Sequence, residues 1–124
     1  MLDSMRMLGA LTGLMKNKDA LADATRRVKA SLEDARLHGE SGGGAARAEV
    51  TGTMRVVRVE LSPALVAGMA ADDRTRELAA GLVADAVNDA LRHAQDRIRA
   101  EIDREAKALG LEGVVDDLLA GRTP

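Results

Sequence analysis

The chain is predicted to be an α+β protein in which one helix, a three-stranded antiparallel meander and a second, longer helix follow one another. Three features carry that prediction. Apolar residues recur every three or four positions on both flanks, they alternate with a period of two in the middle, and the run Gly39-Glu40-Ser41-Gly42-Gly43-Gly44 separates the first flank from the middle.

The first fifteen residues hold four of the six methionines and place Met5, Leu8, Leu11 and Met15 at helical spacing. Asp3 precedes Arg6 and charges follow at once after Met15, which is not the pattern of a signal peptide. The apolar stretch is also far short of the roughly 20 residues that span a bilayer. Residues 1–17 are read as a frayed or partner-packed helix start, with a G-x-x-x-G spacing at Gly9 and Gly13. From Lys18 to Ala35 the residues Leu21, Ala24, Val28, Leu32 and Ala35 form one narrow apolar stripe between charges. Leu21, Val28 and Ala35 are a heptad apart, which suits a two-helix seam better than a deep core.

Leu37–Ser41 is the first predicted strand, and the three glycines after it supply positive φ for a turn. In the second, 45–51, Ala46, Ala48 and Val50 face one way and Arg47, Glu49 and Thr51 the other. The third, 54–61, is joined through Gly52 and alternates Val57, Val59 and Leu61 with Arg58 and Glu60. Pro63 ends the pairing because it offers no amide donor.

Asp72 and Asp73 can cap the second helix, and Glu77 suits its first turn. Its expected apolar face is Leu78, Leu82, Val83, Ala86, Leu91, Ala94, Ile98, Ile102 and Leu109, with Gly81 at a close packing contact and an end near Gly110. Run from Arg74 to Leu109, it would be about 54 Å long. A compact chain of this size is only roughly 35 Å across. The helix is therefore expected to project, and a symmetric homodimer is the economical way to cover its stripe. Leu111, Val114, Val115, Leu118 and Leu119 predict a short C-terminal amphipathic helix, so the chain is read as a domain over 1–110 and a segment over 111–124.

Composition removes several functions. There is no Phe, Tyr or Trp among the 124 residues, so bases cannot stack on aromatic side chains and the core must be thin. Without cysteine there is no disulfide, thiolate nucleophile or zinc-thiolate site. Gly39-Glu40-Ser41-Gly42-Gly43 matches the G-x-S-x-G nucleophile elbow, but the elbow needs a strand-to-helix turn and a strand follows here. His38 and His93 are too few for a metal site and are read as ordinary polar residues. No catalytic, metal or cofactor-binding residue is assigned, and no enzyme activity, membrane or small-molecule partner is expected.

The ordered blocks Gly39 to Gly44, Val50-Thr51-Gly52, Val57-Arg58-Val59-Glu60-Leu61-Ser62-Pro63, and Leu82-Val83 followed by Asn88-Asp89-Ala90 resemble the YbaB/EbfC family of small bacterial nucleoid-associated proteins. The resemblance covers roughly residues 18–104. It implies an α-β-β-β-α protomer, a homodimer whose helices project like tweezers to grip double-stranded DNA, and a place in the cytoplasm on the nucleoid, where the protein organises the chromosome and modulates expression. The first helix is more charged and alanine-rich than is usual in that family, and the C-terminal segment is an addition.

Charge agrees with this only locally. The chain carries net charge −2 with pI near 5.7, whereas a DNA-binding domain is typically basic. Residues 16–36 hold six basic and four acidic side chains, 91–110 hold five and four, and the acidic excess lies at 72–90. Arg26, Lys29 and Arg36 share a helical face with Arg27 beside it; with Arg97 and Arg104 on the second helix they form the candidate DNA-binding set. The i,i+4 pairs of the second helix, Arg97 with Glu101 among them, equally suit a solvated face, and Asn88 and Asp89 are given a structural role. The alternative reading is a structural or protein-interaction dimer of the same fold that binds no DNA.

Overall fold

The computed structural model describes residues 2–111. The element order is α1 (Leu2–Asp34), β1 (Arg36–Ser41), a 3₁₀ turn (Gly42–Gly44), β2 (Ala46–Thr51), β3 (Val56–Leu61), α2 (Pro63–Ala71) and α3 (Asp73–Ala108). The α+β prediction holds, with a three-stranded antiparallel sheet in the order β1-β2-β3. The two helical patterns read separately before Ala35 belong to one helix of 33 residues. The predicted C-terminal helix lies outside the described residues.

The described residues divide into two compact units, 2–30 with 102–111, and 31–101. In the first, Ala24 and Ala106 are buried, and Arg27 donates to both carboxylate oxygens of Glu105 at 3.4 and 3.0 Å. The end of α3 is closed by Gly110, at φ 73°, with Leu111 N donating to Ala106 O (2.7 Å) and Gly110 N to Lys107 O (3.2 Å). These are the two bonds of a Schellman cap, which favours a left-handed glycine at this position.

The second unit holds the sheet and its core. Ala46, Ala48 and Val50 point from β2 toward Ala79, Ala86, Ala90 and Ala94 of α3, and Leu65 of α2 completes the buried cluster. The buried line of α3 is therefore made of alanines rather than of the larger apolar residues that the sequence pattern weights, and Leu78 is 62% exposed. Small side chains bring backbone against backbone. A Cβ on Gly39 would stand 2.5 Å from Ala86 O and 2.8 Å from Ala90 Cα, and one on Gly52 would stand 2.6 Å from Leu32 O. Gly52 thus serves close approach, while the left-handed residue of the β2–β3 turn is Met54, at φ 67°. Gly81 differs from expectation, because a Cβ there meets nothing within 4 Å.

Two elements depart from the sequence reading. β3 starts at Val56 instead of Met54, because Thr51 Oγ1 and Thr51 N hold Arg55 in the turn at 3.2 and 2.8 Å. α2 has no counterpart in that reading. Ser62 and Pro63 do end the pairing, but they also start a helix: Ser62 Oγ accepts from Leu65 N at 3.1 Å and Pro63 occupies the first turn. Asp72 then caps α3 as expected, its carboxylate accepting from Thr75 N at 2.6 Å.

Gly39→Ala is expected to destabilise the protein by about 3 kcal/mol or more, since the new methyl meets main-chain atoms that cannot rotate away. Urea unfolding followed by circular dichroism measures it; a loss below about 0.5 kcal/mol, the range of inert surface changes, would mean that the strand–helix contact is looser than described.

Candidate nucleic-acid interface

The six sequence-selected cations fall in both units. Arg26, Arg27, Lys29 and Arg104 belong to the first, and Arg36 and Arg97 to the second. Arg26 is exposed and pairs with Asp23 one turn earlier on α1. Arg27 is held by Glu105, whose hydrogen bond and charge raise the guanidinium pKa further. Lys29 is exposed and has no hydrogen bond or ion pair among the described residues.

Arg36 sits just past the end of α1 and donates to the carbonyls of Glu33 (2.9 Å) and Ala35 (3.0 Å), so its cation rests on the negative end of the helix dipole. Arg97 donates to Glu101 at 3.0 Å, and Ser31 Oγ donates to the same carboxylate oxygen at 3.0 Å. Glu101 is 5% exposed, and losing it would leave these donors beside an unfilled site. Arg97 therefore has a structural partner in addition to any outward role. Cations with no partner among the described residues that the selection omitted include Arg55 in the β2–β3 turn and Arg99 on α3. The lack of a side-chain partner, which sequence spacing does not give, sets them apart.

The face of the sheet away from α3 is a ladder of charge. Pairing places Glu40, Arg47 and Glu60 in one cross-strand row and His38, Glu49 and Arg58 in the next. Arg47 approaches Glu40 at 3.7 Å, His38 Nε2 lies 3.1 Å from Glu49, and these side chains border an open concavity of about 610 Å³. Among the described residues no three His, Asp or Glu side chains are grouped to hold a metal ion.

The free edge of β1 is held by α3. Glu40 N donates to Asp89 Oδ2 at 3.1 Å, and His93 Nδ1 donates to His38 O at 2.6 Å, which fixes the proton on that nitrogen. Asp89 Oδ1 also accepts from Arg92 at 2.8 Å. Asp89 thus has the structural role expected of it, and His93 has one that its lone occurrence did not signal. Ser41, the serine of the G-x-S-x-G match, donates its hydroxyl to Leu82 O, and strand β2 follows the glycine turn.

A meander between two long helices, with cations spread along the helices and a strand edge held by helix side chains, defines a small helix–meander–helix protein. The YbaB/EbfC DNA-binding family matches residues 7–109, and the chain belongs to it. It is 30% identical over 105 residues to a nucleoid-associated protein of Pseudomonas fluorescens (strain Pf0-1), covering 85% of this chain and 92% of the relative. A nucleoid-associated protein of Alkaliphilus metalliredigens (strain QYMF) is 25% identical over 104 residues, covering 84% and 87%. No helix among the described residues is long and apolar enough to cross a membrane.

The backbone N–H of Glu40, the Arg92 guanidinium and the nearby His93 hold the Asp89 pKa below its usual 3.8. A depressed folded pKa gives stability that is full above the unfolded value and lost as pH falls through the folded one. Wild type is therefore expected to exceed Asp89→Asn in stability at pH 6–7 and to converge with it well below pH 3.8. Denaturant midpoints across pH 2–7 test this, and a gap unchanged at pH 2 would remove the carboxylate from the account.

Proposed function

We propose that this protein is a nucleoid-associated DNA-binding protein that acts as a homodimeric clamp, gripping duplex DNA through the phosphate backbone with weak sequence preference. The family match carries the reading, because it runs through both long helices and the sheet between them. The names of the two relatives, nucleoid-associated proteins, support the nucleoid as the site of action, and chromosome organisation is the role we infer from that place.

The candidate contacts are Arg26, Arg27, Lys29, Arg36, Arg97 and Arg104, and their surroundings rank them. Lys29 and Arg36 give up no carboxylate to meet a phosphate. Arg26 and Arg27 would exchange Asp23 and Glu105, at modest cost, since exposed ion pairs are worth only about 0–1 kcal/mol. Each phosphate neutralised releases condensed counterions, so affinity should fall log-linearly with salt. With no aromatic side chain to wedge or stack, discrimination among sequences falls to arginines that reach base edges.

Fluorescence anisotropy with random-sequence duplexes at several salt concentrations is the test. Saturable binding is expected, and Lys29→Glu with Arg36→Glu should reduce the salt slope by about 0.9 for each phosphate that is no longer neutralised. Arg47→Glu, on the charged sheet face, should leave affinity unchanged. Absence of binding even at low salt would favour the protein-interaction dimer, the reading to which the net charge of −2 lends weight.

A further inference from the structure

We infer that the β2–β3 turn reads the minor groove of duplex DNA: Arg55 enters the groove at A·T pairs, and Met54 packs against the sugars beside it. This inference rests on the DNA-binding reading above and adds a groove contact to its phosphate contacts.

The first observation is the build of the turn. Thr51 N donates to Arg55 O at 2.8 Å and Met54 N to Thr51 O at 3.1 Å. Thr51 Oγ1 accepts from Arg55 N at 3.2 Å and bonds the Thr53 hydroxyl at 2.8 Å. Thr51 is buried, and Gly52 lies against the main chain of Leu32. The tip is therefore a fixed platform.

The second is what the platform carries. A three-residue hairpin loop places its last residue in the left-handed region, where glycine is the usual occupant. Here that residue is Met54, at φ 67° and 38% exposed. Strain of this kind is kept where a side chain is used, and it collects at binding sites. Arg55 follows it, exposed and with no side-chain partner among the described residues. All five of its N–H donors are available.

The third is position. β1 opens at Arg36, which pairs with Thr51, so Arg36 and Arg55 flank one residue at one end of the sheet. Glu33 and Asp34 are near in the chain, but among the described residues neither forms an ion pair with these arginines. Main-chain carbonyls hold Arg36. A phosphate met by Arg36 would bring the turn to the adjoining groove.

Chemistry selects the groove. Residues 51–55 contain no Asn, Gln, Asp or Glu, and the two threonine hydroxyls are bonded to each other. The tip thus offers donors and apolar surface. The minor groove of A·T pairs presents only acceptors, whereas a G·C pair adds the amino donor of guanine. A narrow A·T groove also concentrates negative potential, which draws arginine. Methionine is among the apolar side chains that minor-groove proteins set against base steps. That groove is only about 6 Å wide, too narrow for a helix but open to the side chains of a turn.

Fluorescence anisotropy on the full chain, at one salt concentration, tests this with three duplexes of equal length: A·T only, G·C only and inosine·cytosine only. Inosine lacks the 2-amino group of guanine, so its pair joins the minor groove of A·T to the major groove of G·C. Wild type should bind the A·T and inosine duplexes roughly tenfold tighter than G·C. Arg55→Ala should bring the three affinities together. Met54→Gly should narrow the preference while unfolding in urea no earlier than wild type, because glycine takes the left-handed conformation freely. An inosine duplex bound like G·C, or a loss in Arg55→Ala that is equal on all three duplexes, would overturn the groove contact. An unchanged preference in Met54→Gly would overturn the part given to Met54. Equal binding of all three by wild type would overturn the inference and leave the phosphate clamp intact, whereas no binding to any would end both. The inosine comparison uses unmodified protein, so it decides even if a variant misfolds.

Discussion

The close approach of α3 to β1 sets the terms for the rest of the second unit. Gly39 allows it on the strand side, and Ala86 and Ala90 allow it on the helix side, where main-chain atoms stand in the space a β-carbon would need. A chain without aromatic residues has few other ways to build a core. It fills little volume, so it gains contact by bringing backbones together, and six of the eight residues in the buried cluster are alanine. The same nearness lets short side chains reach across: Asp89 and His93 take up the outward amide of Glu40 and carbonyl of His38. An edge so occupied cannot accept another strand, which removes one route to uncontrolled association.

Coverage follows from that contact as well. A helix held this tightly to β1 and β2 cannot also lie over β3, where Val56 and Val57, beside the register shift, are 50 and 49% exposed. The far face of the sheet shows the opposite character, with carboxylates and guanidiniums alternating in both cross-strand rows. The unit therefore has one charged face and one on which valines of β3 stay exposed. α2 lies in the sequence directly after β3, and its lack of charge matches the apolar face.

Much of this was legible in the residues. Strand order followed from period-two alternation and a glycine turn, and the end of α3 from Gly110. What escaped was governed by contact distance. Pattern reading weights large apolar side chains, so it put Leu78 inside and passed over Ala79, which is fully buried. It assigned Gly52 to a turn, whereas Met54 takes the left-handed position and Gly52 clears Leu32. α2 was hidden because Ser62-Pro63 was read only as a strand stop, although serine before proline is also a helix start. For the cations, spacing put Arg36 on one helical face with Arg26 and Lys29, whereas α1 ends at Asp34 and Arg36 opens β1, and only the folded chain separates Arg27, bound to Glu105, from Lys29.

The acidic net charge and a phosphate-binding role are compatible for a physical reason that whole-chain counts conceal. Asp73 and Asp85 precede Arg97 by 24 and 12 positions on one helix, which at 1.5 Å per residue is about 36 and 18 Å. The Debye length is about 10 Å at 0.1 M salt, so charges that far apart across solvent hardly influence one another. A phosphate near Arg97 or Arg99 responds to the side chains within a turn or two, Asp96, Glu101 and Asp103 among them, and much less to the acidic start of the helix. Lowering the salt lengthens that reach and lets the distant carboxylates repel DNA. The net gain in affinity on dilution should then be smaller than local contacts alone would give, which distinguishes an acidic clamp from a uniformly basic one with the same number of phosphate contacts.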